Sequence, residues 1–199
     1  MAMAGFSLRE LYGGAITTEL PSDYVDASNV RQVPDHQEVY LSPTQLTSLI
    51  FEINQYAAAD SDADAVHLHF SDVIAPPDHL DGQPNAAKLI SLGRASVKDF
   101  PAYITQGTIV SPEIEKKVPS ALPVEWQPNP KTKDYFTKAL LLVVRLAKYE
   151  TDICIRVNLP LKELTPDQAT AEEQYASEIL EKIAGTLDVK DFGLFGTDE

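Results

Sequence analysis

The 199-residue chain has a single cysteine, Cys154, so no disulfide can form within it, and a reducing compartment is expected. Its nine glycines form neither a GxxxxGK[ST] nor a GxGxxG pattern. The common phosphate-cradling loops are therefore excluded, and with them the usual nucleotide hydrolases and dinucleotide enzymes. No GxSxG elbow occurs. Long apolar runs are also missing. The longest, "ALLLVV" at 139–144, is far shorter than the roughly 20 residues that a membrane-spanning helix needs, so no membrane insertion is expected. The opening "MAMAGFSLRELYGG" has no apolar centre of the kind a signal peptide carries.

Basic residues are scarce in one half. Residues 1–87 hold 2 basic and 13 acidic side chains, against 14 and 17 in 88–199. Between Arg31 and Lys88 there is no Lys or Arg, while nine carboxylates fall in that interval. The net charge of −14 disfavours nucleic acid as a partner, because phosphates would be repelled. The acidic excess fits either simple solubility or a face that steers a basic partner, and it makes a monomer the default. No basic import signal is visible.

What is present is ordinary globular material: 44% hydrophobic and 23% charged residues, enough to bury a core without staples. No repeat or linker divides the chain, so a single domain over 1–199 is expected. "SLRELYGGAITTEL" (7–20) predicts short strands around a Gly13-Gly14 turn. "PSDYVDASNVRQVPD" predicts a helical turn that ends before Pro34. "QEVYLS" (37–42) predicts a strand. In 42–58, Ser42 as a cap, Pro43 and the spacing of Leu46, Leu49, Ile50 and Ile53 predict a helix. "ADSDAD" (59–64) reads as an acidic loop, and "AVHLHFSDVI" (65–74) alternates as a strand does. The stretch 75–100 reads as a long loop with a short helix near 86–91, 102–112 as a strand, and 113–133 as a proline-rich connection.

Two strands, 134–149 and 151–161, meet at Glu150-Thr151. The first is apolar on both faces at its middle: Leu140, Leu142 and Val144 alternate with Ala139, Leu141 and Val143. It must be covered on both sides. A final helix, capped by Thr165 with Pro166 at its first position, supplies one cover through Ala169, Tyr175, Ile179, Leu180 and Ile183, and Gly185 closes it. The 42–58 helix supplies the other. The fold class that follows is α+β: a single-domain sandwich with a mostly antiparallel sheet of about six strands and helices on both faces.

Candidate chemistry is sparse. Cys154 sits in an alternating apolar strand and reads as a buried thiol. His67 and His69 would share a face if 65–74 is a strand, and could then hold one metal ion with Asp72 nearby. Two such imidazoles more often pack or hydrogen-bond, and no further ligands are in view, so no metal or other cofactor is assigned. Asp35 and Glu38, three residues apart, could be an acid–base pair. The plain reading is a Pro-Asp turn with solvated charges entering a strand, and nothing else in the chain builds a substrate cleft.

The block "LRELYGGAI" (8–16) followed by "VRQVPDHQEVYL" (30–41) resembles the Mog family, small proteins that bind the GTPase Ran and promote release of its guanine nucleotide. "AVHLHFSD", the paired strands "ALLLVVRLAKYETDICIRVNLPL" and the closing "GTLDVKDFGLF" fit the same family, so the resemblance covers nearly the whole chain. It implies a six-stranded antiparallel sheet sandwiched by helices, similar to the PsbP proteins of photosystem II. It also implies a non-enzymatic regulator of nuclear protein import, working in nucleus and cytoplasm with Ran as partner. The family's acidic pair falls on Asp35 and Glu38. Arg31, Pro34 and Gln37 belong to the same block. Pro34 would stiffen the turn that presents Asp35, and Arg31 would pair with a neighbouring carboxylate. His36 takes a variable position and is given no role. The alternative keeps the fold and changes the partner: a PsbP-like interaction module whose acidic face binds another basic transport or membrane-protein partner.

Overall fold

The two-faced apolar strand lies at the centre of the molecule. The structure, a computed structural model, describes residues 5–112, 134–162 and 164–196. The expected proline-rich connection, 113–133, lies outside the described residues. In chain order the elements are strands β1 (Phe6–Leu11), β2 (Ile16–Pro21), β3 (Val25–Asp26), β4 (Gln37–Leu41) and β5 (Ser48–Gln55). Helix α1 (Asp62–Asp72) follows, then β6 (His79–Leu80), β7 (Lys88–Ile90), β8 (Ala102–Ser111), β9 (Tyr135–Leu146) and β10 (Thr151–Pro160). Helix α2 (Pro166–Thr186) and β11 (Asp188–Val189) complete the chain.

The described strands form two antiparallel sheets. The larger has eight strands, in the order β3-β4-β5-β10-β9-β8-β6 with β7 also on β8. The smaller is β1-β2-β11. The sheet expected to hold about six strands is thus larger, because three two- or three-residue strands are too short to announce themselves in sequence. The β9–β10 hairpin pairs Ile155 with Leu142 and Cys154 with Val143. Alternation then splits the strands between two cores. Leu140, Leu142, Val144, Ile153, Ile155 and Val157 join α2 and Leu11, Ile16 and Leu20 of the small sheet. Ala139, Leu141, Val143 and Cys154 meet Val66 and Phe70 of α1 on the opposite face.

Helices therefore cover both faces, but the second cover is not the predicted one. Residues 48–55 are strand β5, and 62–72 are helix α1. Leu49, Ile50 and Ile53 satisfied a helical spacing, yet Leu49 and Phe51 also alternate and are buried against the large core. Ser42 does cap a turn, accepting from the Gln45 amide at 3.2 Å, but that turn stops before the strand. In the "ADSDAD" stretch, read as a loop, Ser61 accepts from the Asp64 amide at 3.2 Å and caps α1. Asp62 and Asp64 occupy its first turn, where the helix dipole favours them. The buried residues of α1 are Ala65, Val66, His69 and Phe70, one helical stripe. The helix expected near 86–91 is replaced by β7 on the edge of β8.

Helix α2 carries the expected cap: the Thr165 hydroxyl accepts from the Gln168 amide, and the Gln168 side chain accepts from Thr165. Its buried stripe is Ala176, Ile179, Leu180, Ile183 and Ala184, with Tyr175 packed at the margin. Gly185 does not end it. The helix continues to Thr186, whose hydroxyl donates to the Lys182 carbonyl and accepts from the Glu19 amide of β2. Gly93 lies so close to this end that a Cβ there would sit 2.3 Å from the Gly185 carbonyl oxygen. Past β11, Phe192 stacks on Tyr149 with ring centroids 4.7 Å apart, and the amides of Lys190 and Asp191 donate to the Ala15 carbonyl. The closing segment is thereby pinned beside the Gly13-Gly14 turn.

Candidate partner-binding site

Pro34 to Gln37 form a tight turn, closed by the Gln37 amide donating to the Pro34 carbonyl at 2.9 Å. Pro34, Asp35 and His36 are exposed, while Gln37 and Glu38 are half-buried at the start of β4. Successive residues of β4 point to opposite faces. Glu38 faces the α2 side with Tyr40, and Gln37 faces the α1 side, where its amide nitrogen donates to Glu52 Oε1 at 2.5 Å.

The Glu38 carboxylate has a local task. Its Oε1 accepts from the Tyr12 backbone amide, and its Oε2 accepts from the Tyr40 hydroxyl at 3.0 Å. Tyr12 adds a second tie, its own hydroxyl donating to the His36 carbonyl at 3.2 Å. That carbonyl also accepts from the Ile53 amide at 3.0 Å. Burial and then the Glu38 charge push the Tyr12 hydroxyl well above its ordinary value, and the same causes act on Tyr40. Both remain protonated donors. Tyr12, Gly13 and Gly14 all have positive φ, 51°, 65° and 91°. Two glycines relieve the strain that such a run would impose on larger residues, so the turn can bring the Tyr12 amide up to Glu38. The "LYGG" and "PDHQE" blocks are thus one construction. Asp35 is its free carboxylate and Glu38 its brace.

Other expectations fare differently. Arg31 is exposed, and among the described residues no ion pair holds it, so the expected pairing is absent. It closes the local turn through its backbone, donating to the Ala27 carbonyl at 2.9 Å. His67 and His69 do not share a face, because their segment is helical. His67 Nε2 lies 3.2 Å from the Asn85 carbonyl, whereas His69 is on the buried face of α1. The acidic interval is not all steering surface, since the Glu38, Glu52, Asp62 and Asp64 carboxylates each accept from an internal partner.

One constellation escaped sequence reading. Arg145 on β9 is 2% exposed and Asp152 on β10 is fully buried. Arg145 donates to Asp152 Oδ1 at 3.3 Å, to Asp62 Oδ1 at 2.6 Å and to the Ala57 carbonyl at 2.6 Å. Its guanidinium carbon lies 4.1 Å from the centre of the Tyr56 ring. Asp152 Oδ2 accepts from the Ala57 amide at 2.9 Å and from His69 Nε2 at 2.7 Å. Burial alone would depress the His69 imidazole, but the hydrogen bond to Asp152, with Cys154 alongside, raises it to about 10. Both Asp152 oxygens and all three Arg145 nitrogens thus have partners, as a buried ionic cluster requires. Charged residues inside the otherwise apolar "LLLVVRLAKYETDICI" run were the signal that could have found it.

Residues 9–160 match the family described as Ran-interacting Mog1 protein. A probable ran guanine nucleotide release factor of Dictyostelium discoideum is 25% identical over 96% of each chain. The nuclear import protein MOG1 of Saccharomyces cerevisiae is 27% identical over 94% of this chain and 83% of its own. A Ran guanine nucleotide release factor of Danio rerio is 43% identical over a shorter stretch, 33% of this chain and 36% of its own. Among solved structures, the yeast Ran-binding protein Mog1p superposes with a TM-score of 0.62, at 21% identity, over 98% of this chain and all of that one. A cyanobacterial PsbP aligns more weakly, with a TM-score of 0.48, and carries no weight in the assignment.

Proposed function

The chain belongs to the Ran-interacting Mog1 family, and from that premise we propose that it binds the GTPase Ran, promotes release of its guanine nucleotide and thereby serves nuclear protein import. The observation that carries this reading is the braced turn. Asp35 stands exposed on a segment fixed from three directions, by the Tyr12 hydroxyl, the Ile53 amide and the Glu38 carboxylate. A carboxylate held in place loses little conformational freedom on binding, so more of its interaction energy appears as affinity.

A GTPase holds its nucleotide with a lysine-bearing loop and Mg²⁺ around the phosphates. Asp35, brought to the rim of that site, competes for the basic groups that hold the phosphates. Glu38 adds negative potential from behind. Pro34 restricts the turn, Gln37 continues the contact, and Arg31 sets the outer edge of the block. The complex with empty Ran is stabilised relative to the loaded one, and by linkage nucleotide and release factor weaken each other reciprocally. A close charge pair at such an interface is worth about 1.5–7 kcal/mol of coupling. The chain then acts as a regulator whose working state is a protein–protein complex.

The test is release of labelled GTP from purified Ran, with this protein and with its Asp35→Ala form. Acceleration by the wild type and loss of that acceleration in Asp35→Ala, with an unchanged thermal midpoint, is expected. Equal acceleration by both proteins would remove Asp35 from the site.

A further inference from the structure

On the α1 side of the large sheet, a cleft of about 560 Å³ begins at Gln37 and runs over Glu52 and Cys154 to Arg156, with His69 and Asn54 among its walls. Among the described residues it lies beyond the end of α1, which packs over β8, β9 and Cys154 of β10. Arg156 is the anomaly within it. Among the described residues its Nε, sealed from solvent, has no hydrogen-bond partner, and no ion pair engages the guanidinium. Burial lowers its pKa, with Glu52 the foremost influence acting the other way. Glu52 does not bridge to it: its Oε1 is taken by the Gln37 side chain at 2.5 Å. Arg145, one strand away, shows what a buried guanidinium in this fold otherwise has, namely two carboxylates and a carbonyl. Arg156 is half-buried, with a sealed Nε that lacks such partners among the described residues, and an unmet buried donor is costly.

We propose that Arg156 receives a carboxylate side chain of Ran, so that the interface carries both signs: an exposed acid at Asp35 and a recessed cation in the adjoining cleft. The inference rests on the reading of the braced turn as the Ran site. Continuity joins the two features, since Gln37 both closes the Asp35 turn and forms the cleft's near wall. Charge selects the occupant. A protein of net charge −14 repels free anions, and Glu52 faces the same space, so a dissolved oxyanion gains little there. A carboxylate delivered by a partner already docked at Asp35 arrives at a high effective concentration and meets a planar donor fork suited to it. Opposite charges on adjoining features, the turn and the cleft that share Gln37, also reject partners that match only one of them.

The experiment measures affinity for Ran of the full chain and of Arg156→Gln and Glu52→Gln, and follows the Arg156 Nε–H signal by NMR during titration with Ran, phosphate or acetate. The expected result is a tenfold or greater loss of affinity in Arg156→Gln, a gain in Glu52→Gln, and slowed Nε–H exchange when Ran is added. Because Glu52→Gln keeps Arg156 in place, its gain in affinity is a test that survives any instability of Arg156→Gln. Unchanged affinity in both variants, with Asp35→Ala still deficient, overturns the cleft while leaving the Asp35 reading intact. Saturation of the Nε–H signal by phosphate or acetate alone overturns the commitment to a partner's side chain. No affinity of the wild type for Ran overturns both readings together.

Discussion

The two faces of the large sheet share the same strands and solve opposite problems. On the α2 face, alternate residues of β9 and β10 are aliphatic, and the core is Leu, Ile and Val against a helix and a second small sheet. On the α1 face the same strands offer Ala139, Leu141 and Val143, then Arg145, Asp152 and Cys154. There the helical cover among the described residues is the 11-residue α1, and a salt-bridged cluster stands at its first turn. One face is held by area and the other by geometry. The face held by geometry also keeps an open cleft beside the proposed partner site.

That contrast can be broken most forcefully at Arg145. Replacing it by Ala removes the guanidinium from between Asp152 and Asp62, and removing one partner of a buried pair costs about 3–5 kcal/mol. Leu142→Ala on the other face falls in the range of about 2–5 kcal/mol for a large-to-small core change. Urea midpoints compare the two. A distinguishing signature is that Arg145 and Asp152 variants are strongly non-additive, whereas Leu142→Ala adds to either. Additive loss at Arg145 and Asp152 would mean that the cluster is not a unit.

A next-largest effect is expected at Gly93, where an added Cβ meets backbone at 2.3 Å from the Gly185 oxygen. Gly93→Ala should cost about 1–3 kcal/mol, as overpacking does, and raise amide exchange at the end of α2. Glu38→Ala is expected to destabilise by about 1–3 kcal/mol, because it leaves the Tyr12 amide unpaired behind the turn. Asp35→Ala should leave the midpoint where it was. Equal stability losses at Asp35 and Glu38 would erase the division between free carboxylate and brace.

The ionic face should also carry a pH signature that the aliphatic face lacks. His69 is raised from 6.5 to about 10. Its contribution is therefore fully present below 6.5 and is lost as pH rises through about 10. Stability should decline over that interval in the wild type and decline less in His69→Gln, measured by urea titrations across the range. Identical slopes in both proteins would show that the imidazole carries no linked charge.

Much of the architecture was legible because periodicity and caps are local. The two-sided apolar strand demanded two covers, and Thr165-Pro166 announced α2. The exchange of helix and strand across 42–74 has one cause. Short apolar segments satisfy both periods, and burial on the sheet decided in favour of Leu49 and Phe51 alternation. The Ser61 cap is present in sequence, but the aspartates around it give the stretch the composition of a charged loop. The Asp35 turn was legible from Pro34-Asp35. Its brace was not, because Tyr12 and Glu38 lie 26 residues apart and meet through a backbone amide that no side-chain pattern records. The partners of Arg145 were hidden for the same reason: Asp62 is 83 residues away in sequence.

The most direct test of the central claim is the rate of labelled-GTP release from Ran in the presence of the wild type, Asp35→Ala and Glu38→Gln, read beside each protein's thermal midpoint. If Asp35 is the working carboxylate, the wild type accelerates release, Asp35→Ala abolishes the acceleration at unchanged midpoint, and Glu38→Gln loses part of it. Full acceleration by Asp35→Ala, or loss only in proportion to unfolding, would contradict it.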